Sequence, residues 1–474
     1  MPTTGVVATS DQRASDAGAE MLRSGGNAID AAVTAMLALY VLEPQSCGPG
    51  GDGFLIQVGP GAPPVGLDGA GEIPLGLTAA ALAADGLAGV PPRGARTATV
   101  PGALPLLYDA LDRYGSVAFS DAAAPAIALA MGGFEVGPTL AAAAARAASE
   151  IADDPVLGPL YAPGGQPVRE GEPVHNPAIA DCLASYAADG PGLLRGGALG
   201  AAIAARVQAG GGYLDLEDLR RHESIDVTPQ SVPFRGRLVW EFGPPTQGPA
   251  VLGALRRLES AGPDSSDWTA VIEAVRAGLV ESGFDLSAMV VGQPSPAKGD
   301  TTYVAVIDRD HHAASLISSV FGDFGSHFGI PELGGPILNR ASILRPFKRD
   351  PEPGAKPPHT TIPAAVTHDG SLAYVLGVAG GFMQPQAQVQ VLIHLVERGL
   401  EPQAAIDQPR FKIMFGGELS LEAGHPLCRE LPAAAARPPG PEGFGAAQVA
   451  GVVAGELLAG ADPRRHGGVA TVTT

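Results

Sequence analysis

The stretch GDTTYVAVIDRDHHAASLISSV, residues 299–320, decides how this chain is read. TYVAVID (302–308) and AASLISSV (313–320) are apolar, strand-forming runs, and the Arg309-Asp310-His311-His312 tetrapeptide between them has the polarity of a turn, so the stretch spells a β-hairpin. With the turn centred between Asp310 and His311, antiparallel pairing sets Thr301 opposite Val320 and beside Ser319. Two hydroxyls from distant positions become neighbours. Taken alone, adjacent threonines at a strand start are ordinary β-formers, and the pairing adds only that a second hydroxyl lies beside the first of them.

A second hairpin follows. PAAVT and SLAYVLGVA flank His368-Asp369-Gly370, an Asp-Gly turn signal, and pairing across it brings Thr360 and Thr361 near Val378 and Ala379, just before Gly380-Gly381. A helix expected over about 386–398 follows those glycines, and its N-terminal end can present backbone N–H groups to a developing oxyanion.

The 474-residue chain carries 30 Lys+Arg against 49 Asp+Glu, a net charge of −19, with no basic tract, which argues against nucleic acid as a partner. Cys47, Cys182 and Cys428 are few, odd in number and form no C-x-x-C pair, so a disulfide framework and a zinc site are disfavoured and a reducing compartment is expected. No secretory signal is visible at the N-terminus, and the longest apolar run, 31–42, is too short for a bilayer. The expectation is a cytoplasmic protein without membrane contact, metal or cofactor.

Helices are expected over 15–24 and 27–41, the second capped by Asn27, and the loop CGPGGDG (47–53) leads into the strand FLIQV. That loop precedes a strand and lacks a Lys-Ser/Thr pair, so it reads as a backbone turn and not as a phosphate cradle. Largely helical segments over 100–142 and 177–207, a short capped helix at LEDLRRHE, the strand pair SVPFRGRLVWEFGPP and the helix WTAVIEAVRAGLVES complete the first part. The Pro-containing segment 293–300 separates it from a β-rich remainder, and the Ala/Pro stretch 432–441 reads as a surface loop.

These blocks together resemble the γ-glutamyltransferase (γ-glutamyltranspeptidase) family of N-terminal nucleophile hydrolases, over nearly the whole chain. The resemblance is carried by ASDAGAEMLRSGGNAIDAAVTAMLALYVLEPQSCGPGGDGF, TVPGALPLLYDALDRYG, NPAIADCLASYAADGP with GGGYLDLEDL, FRGRLVWEFGPPTQGPAVL, GDTTYVAVIDRD, VLGVAGG, DQPRFK and ADPRRHGG, in the family's order. It implies an α+β fold, a four-layer αββα sandwich, made by a proenzyme that cuts itself between Asp300 and Thr301. Residues 1–300 would form a large subunit and 301–474 a small one, interwoven in one domain. Thr301 would be the nucleophile, with its own freed α-amino group as general base. Ser319 would be the supporting hydroxyl, Gly380 and Gly381 the oxyanion pair, and Thr360 and Thr361 a pair contacting substrate.

Departures from the family bear on substrate. The arginine that grips a glutamyl α-carboxylate should lie in LDGAGEIP, yet residues 68–74 contain none; Phe321 stands where an asparagine is expected; and in GPILNRASILRPF, Asn339 is kept while Ala341 and Leu344 fall where polar groups belong. Arg340, with Arg345 nearby, is a new cation in a region read as free of carboxylates, suited to an acyl group bearing a carboxylate or carbonyl and no ammonium. His359 reads as a partly exposed loop histidine, and Arg410, Arg464 and Arg465 as loop-holding ion-pair formers. The expected activity is amide hydrolysis, or transfer to an amine, on a small substrate that is not a standard γ-glutamyl compound. A biosynthetic hydrolase cutting a C–C bond and a non-catalytic binding relative stay open as alternatives, as does a further oligomer.

Overall fold

In the computed structural model, residues 2–262, 267–286, 299–430, 436–437 and 443–473 are described. Segment 293–298 and most of 432–441, singled out above, lie outside them. Two antiparallel sheets organise the molecule. The first contains β1 (Thr3–Thr9), β2 (Asp52–Val58), β3 (Val65–Asp68), β4 (Ile225–Val227), β7 (Gly299–Ile307), β8 (Ala313–Gly322) and β13 (Gly468–Thr473), in the order β13-β1-β7-β8-β2-β3-β4. The second contains β5 (Gln230–Phe234), β6 (Arg237–Glu241), β9 (Ala364–His368), β10 (Ser371–Ala379), β11 (Ala446–Val453) and β12 (Glu456–Ala461), in the order β12-β11-β10-β9-β6-β5.

Strand periodicity explains the layering, because successive side chains point to opposite faces. On β7, Tyr303, Ala305 and Ile307 join an apolar cluster with Phe54 and Ile56 of β2, Ala365 of β9, Val375 of β10 and Ala450 of β11, which is the seam between the sheets. Val304 and Val306, the alternate residues, enter a different core with Leu37, Leu55 and Leu316, under helices that include Gln12–Arg23 and Ala28–Leu42. Val366, Leu376 and Val449 turn outward from the second sheet onto helices Gly248–Ala261, Trp268–Glu281 and Gln384–Leu392. The result is helix, sheet, sheet, helix: the αββα sandwich. Strands buried on both faces require near-continuous apolar runs, and β8, AASLISSVFG, is buried along its whole length.

The helix Ala28–Leu42 starts where expected. Asn27 accepts the N–H groups of Ile29 and Asp30, and Asp30 accepts the Asn27 N–H at 2.8 Å, a reciprocal capping box.

Candidate active site

The β7–β8 hairpin pairs Thr302 with Ser318 and Ala305 with Ser315, one residue tighter than the expected register, because Asp308 and not Asp310 organises the turn. Asp308 Oδ1 accepts the N–H groups of Asp310 (2.9 Å) and His312 (3.0 Å). A bulge between Ser318 and Phe321 restores the expected pairing at the open end, where Asp300 faces Phe321. Thr301 lies within that irregularity, and its Oγ1 donates to Ser319 Oγ at 3.3 Å. Both residues are buried.

The bulge aims the site. Phe321 adopts φ 77°, an uncommon conformation for a bulky residue, and its N–H donates to Ser319 Oγ at 2.8 Å. Ser319 Oγ is thereby pinned as the acceptor for the Thr301 hydroxyl. Thr302 points to the opposite face of the strand, toward Glu43 Oε2 at 3.5 Å, while Ser10 also donates to that carboxylate at 2.8 Å. The two adjacent threonines therefore serve different layers.

On the far side of Thr301 stands a residue missed in the sequence. Gln384 Nε2 approaches Thr301 Oγ1 at 3.5 Å, while Gln384 Oε1 accepts the Ile362 N–H at 3.2 Å. Its helix begins two residues earlier than expected, at Gln384, and continues as a wider turn over Ile393–Glu397. Alternating glutamines in QPQAQVQVL give this helix its role. Gln388 donates to the Ile362 carbonyl at 2.8 Å, whereas Gln386 and Gln390 accept the N–H groups of Ile413 (2.7 Å) and Phe411 (2.9 Å). Extended backbone on two sides is held by side-chain amides in place of a strand ladder. A run of glutamines at spacing two within an apolar helix was the available signal.

Gly380 (φ 131°) and Gly381 (φ 57°) make the turn from β10 into that helix, in backbone conformations that favour glycine. The turn Gly381–Met383 packs against β7. Arg410 supports it from behind, donating to the Gly445 carbonyl at 3.0 Å and to Asp462 at 2.8 Å, and a Cβ on Gly380 would meet Gly445 Cα at 3.1 Å. Arg464 forms the expected ion pairs with Glu422 and Asp462. Arg465 Nη1 donates to the Thr301 carbonyl at 3.3 Å and so holds the backbone of that residue.

Asn339 accepts the Gly322 N–H at 2.9 Å and donates to the Pro92 carbonyl at 3.1 Å, which closes the loop after the bulge. Thr360 and Thr361 are buried just ahead of β9, and Thr361 Oγ1 has no hydrogen-bond partner among the described residues.

Two expectations need correction. Arg340 does not stand in a carboxylate-free region: its Nε and Nη2 donate to Asp52 at 3.2 and 2.8 Å, with both side chains fully buried and the guanidinium 4.7 Å from the Phe321 ring centroid. His359 is not a partly exposed loop residue either. It is fully buried, Nε2 lies 2.8 Å from Asp52 Oδ2, and its ring meets Phe54 edge-on at 5.2 Å. Asp52 was read as the tail of a glycine turn, and pairing was the missing information: it is the ladder partner of Ser319 on β2. Arg340 and His359 hold the Asp52 carboxyl well below the usual carboxylate range, against the opposing effect of burial. Arg345, for its part, donates to the Val90 carbonyl at 3.0 Å.

The buried Thr301 hydroxyl, the Ser319 hydroxyl that accepts from it and the Gly380-Gly381 turn belong to a chain whose family is shown by comparison over its whole length. The sequence model of the family described as gamma-glutamyltranspeptidase matches residues 14–284 and 282–472. The chain belongs to the γ-glutamyltranspeptidase family. It is thus an N-terminal nucleophile enzyme of the amidohydrolase and acyltransferase type. Among its relatives, an oxamate amidohydrolase proenzyme of Klebsiella pneumoniae is 29% identical over 86% of this chain and 85% of that protein. Glutathione hydrolase 3 of Arabidopsis thaliana is 28% identical over 86% of this chain and 72% of that protein. The crystal structure of a cephalosporin acylase from Bacillus halodurans superimposes over 100% of this chain and 96% of its own, with TM-score 0.89 and 31% identity. Three relatives of similar identity bear three different substrate names, so membership of the γ-glutamyltranspeptidase family establishes the reaction class and leaves the acyl group to the pocket.

Proposed function

We propose that the chain matures by cutting itself between Asp300 and Thr301, and that the new N-terminal threonine hydrolyses small amides other than standard γ-glutamyl compounds. The observation that carries this reading is the Thr301 hydroxyl, buried 3.3 Å from Ser319 Oγ and 3.5 Å from Gln384 Nε2. In maturation, Thr301 Oγ1 attacks the Asp300 carbonyl, the acyl group shifts from nitrogen to oxygen, and water cleaves the ester, freeing the Asp300 carboxylate and the Thr301 amine. Arg465 on the Thr301 carbonyl keeps the residue in place when its N-terminal tether is lost.

In turnover, the α-amine, with an unperturbed pKa of roughly 7.7–8.0, takes the hydroxyl proton as Oγ1 attacks the substrate carbonyl. The Gly380-Gly381 turn supplies backbone N–H groups to the oxyanion, a contribution of about 3–4 kcal/mol per donor in comparable sites. The C–N bond breaks, the amine leaves with the transferred proton, and water resolves the acyl-enzyme. Residues 1–300 and 301–474 then form the large and small subunits. Pocket composition supports a substrate outside the γ-glutamyl class. The loop 68–74 holds no arginine, and its Asp68 is engaged by Lys356 at 2.9 Å.

Intact-mass measurement with N-terminal sequencing of the purified protein tests maturation and nucleophile together. A fragment beginning at Thr301 is expected, together with ammonia or amine release from an amide panel. A single uncut chain that no acylating probe labels would overturn the proposal.

A further inference from the structure

Beside the nucleophile, three buried side chains carry charges that do not cancel. Asp52, Arg340 and His359 are each fully buried and joined through the Asp52 carboxylate, Arg340 by two hydrogen bonds and His359 by one. Proton counting fixes the state of the ring. His359 Nδ1 lies 2.7 Å from the Pro357 carbonyl oxygen, which can only accept, so Nδ1 bears a proton. Nε2 lies 2.8 Å from Asp52 Oδ2, and a carboxylate likewise only accepts, so Nε2 bears one too. Flipping the ring would set carbon atoms against both oxygens. One proton therefore lies on Nδ1 and one on the Nε2–Oδ2 contact, and with the Arg340 guanidinium the three side chains together hold one net positive charge.

Net positive charge without water is costly unless an anion joins it, and the cluster retains donors for one. Arg340 Nη1 is buried with no hydrogen-bond partner among the described residues; Thr361 Oγ1, two residues on from His359, is also buried and unpartnered. Location connects these donors to the chemistry. Asp52 pairs across the ladder with Ser319, and the Phe321 ring under Arg340 belongs to the residue whose N–H pins Ser319 Oγ.

We propose that Asp52, Arg340 and His359 form the anion subsite for the acyl group, with Arg340 Nη1 as the principal donor, and that the substrate class is the monoamide of a short dicarboxylic acid lacking an α-ammonium. This rests on the reading of Thr301 as nucleophile. An ammonium beside the acyl carboxylate would meet the cluster's net positive charge, which disfavours γ-glutamyl compounds. Hydrolysis forms the Thr301 Oγ–acyl ester as the C–N bond breaks and ammonia leaves; water then releases the dicarboxylate.

The test uses the full protein and three matched pairs: oxamate, malonamate and succinamate against oxamide, malonamide and succinamide, with ammonia release as the readout. At least one acid monoamide is expected to exceed its diamide in kcat/KM by roughly tenfold or more, and the matching dicarboxylate is expected to bind in calorimetric titration. His359→Gln, which removes one positive charge and leaves the Asp52–Arg340 pair, should reduce that preference several-fold. Diamides turned over as well as monoamides in every pair, or no binding of oxalate, malonate or succinate, would overturn the subsite. The titration is made on the preparation whose mass has been measured. A chain that binds dicarboxylate but never yields a Thr301 terminus therefore refutes the nucleophile and spares the subsite.

Discussion

The two sides of the site are built from opposite materials. At the Thr301 hydroxyl stand two neutral groups, the Ser319 hydroxyl and the Gln384 amide, at 3.3 and 3.5 Å. One strand over, the Asp52 carboxylate joins Arg340 and His359, and the shortest contacts among the three are 2.8 Å. Neutral partners orient a hydroxyl without fixing its proton, which suits the nucleophile proposed above, whose base would arrive only when the chain is cut. Charged partners fix position and potential, which suits recognition. The contrast predicts that substitutions on the first side change rate, whereas those on the second change stability and substrate choice.

The largest effect belongs to the neutral side. Thr301→Ala removes the attacking oxygen from both maturation and turnover, so the protein should run as one 47.7 kDa chain with amidase activity lowered by about a thousandfold or more. Thr301→Ser keeps an oxygen and should still be cut. A fully processed Thr301→Ala chain on a denaturing gel would break the comparison at its root.

Next in size is the charged side. Arg340→Met strands a buried carboxylate, and loss of one partner of such a pair costs about 3–5 kcal/mol. Urea denaturation of Arg340→Met should show a loss of that order, seen as an earlier midpoint at unchanged slope. A loss under about 1 kcal/mol would mean that Asp52 is satisfied by His359 alone.

Gln384 tests the boundary between the two. Its amide is held by the Ile362 N–H and aimed at Thr301 Oγ1. Gln384→Ala should lower kcat by roughly 10- to 100-fold, equivalent to about 1.4–2.7 kcal/mol, with KM little altered. A change confined to KM would move this residue to the recognition side.

Much of this was legible in the sequence. Alternation in TYVAVID announced a strand buried on two faces, Asn27 with Asp30 marked a helix start, and Gly380-Gly381 marked a turn next to the second hairpin. Long-range partners were not legible. Asp52 ends a glycine loop, and Arg340 lies 288 residues away on a tight turn; no spacing within either segment signals that they meet. The hairpin register slipped by one because Asp308 accepts two turn N–H groups, and a side-chain preference of that kind is invisible to strand alternation. Gln384 was hidden in a different way, since a glutamine at a helix start carries no chemistry until its carbonyl is tied to Ile362 and its amide is left facing the Thr301 hydroxyl.

A last contrast, read in pH dependence, separates buried groups that stay charged from those that stay neutral. His394 and His425 pack against Trp268 with ring centroids 5.7 and 5.0 Å away. Burial, helped by Arg398, brings His394 down to about 3; it brings His425 to about 4 despite the opposing Glu422. Both lie below the unfolded value of roughly 6.5, so under mild acid the unfolded chain binds protons that the folded one refuses. Their contribution is full above pH 6.5 and is lost on descent toward pH 4, by about 1.4 kcal/mol per pH unit for each histidine. Asp52 behaves differently. Its folded-state value is depressed below an unfolded value of roughly 3.9, so its contribution persists through that window and declines only as the pH falls below about 4. Denaturation midpoints between pH 7 and 4 should therefore fall in the wild type and fall less steeply in His394→Gln, which leaves His425 in place, while Arg340→Met should shift the curve down without changing its slope above pH 4.5. If Arg340→Met removed the slope instead, the acid sensitivity would belong to the charged cluster and not to the neutral histidines.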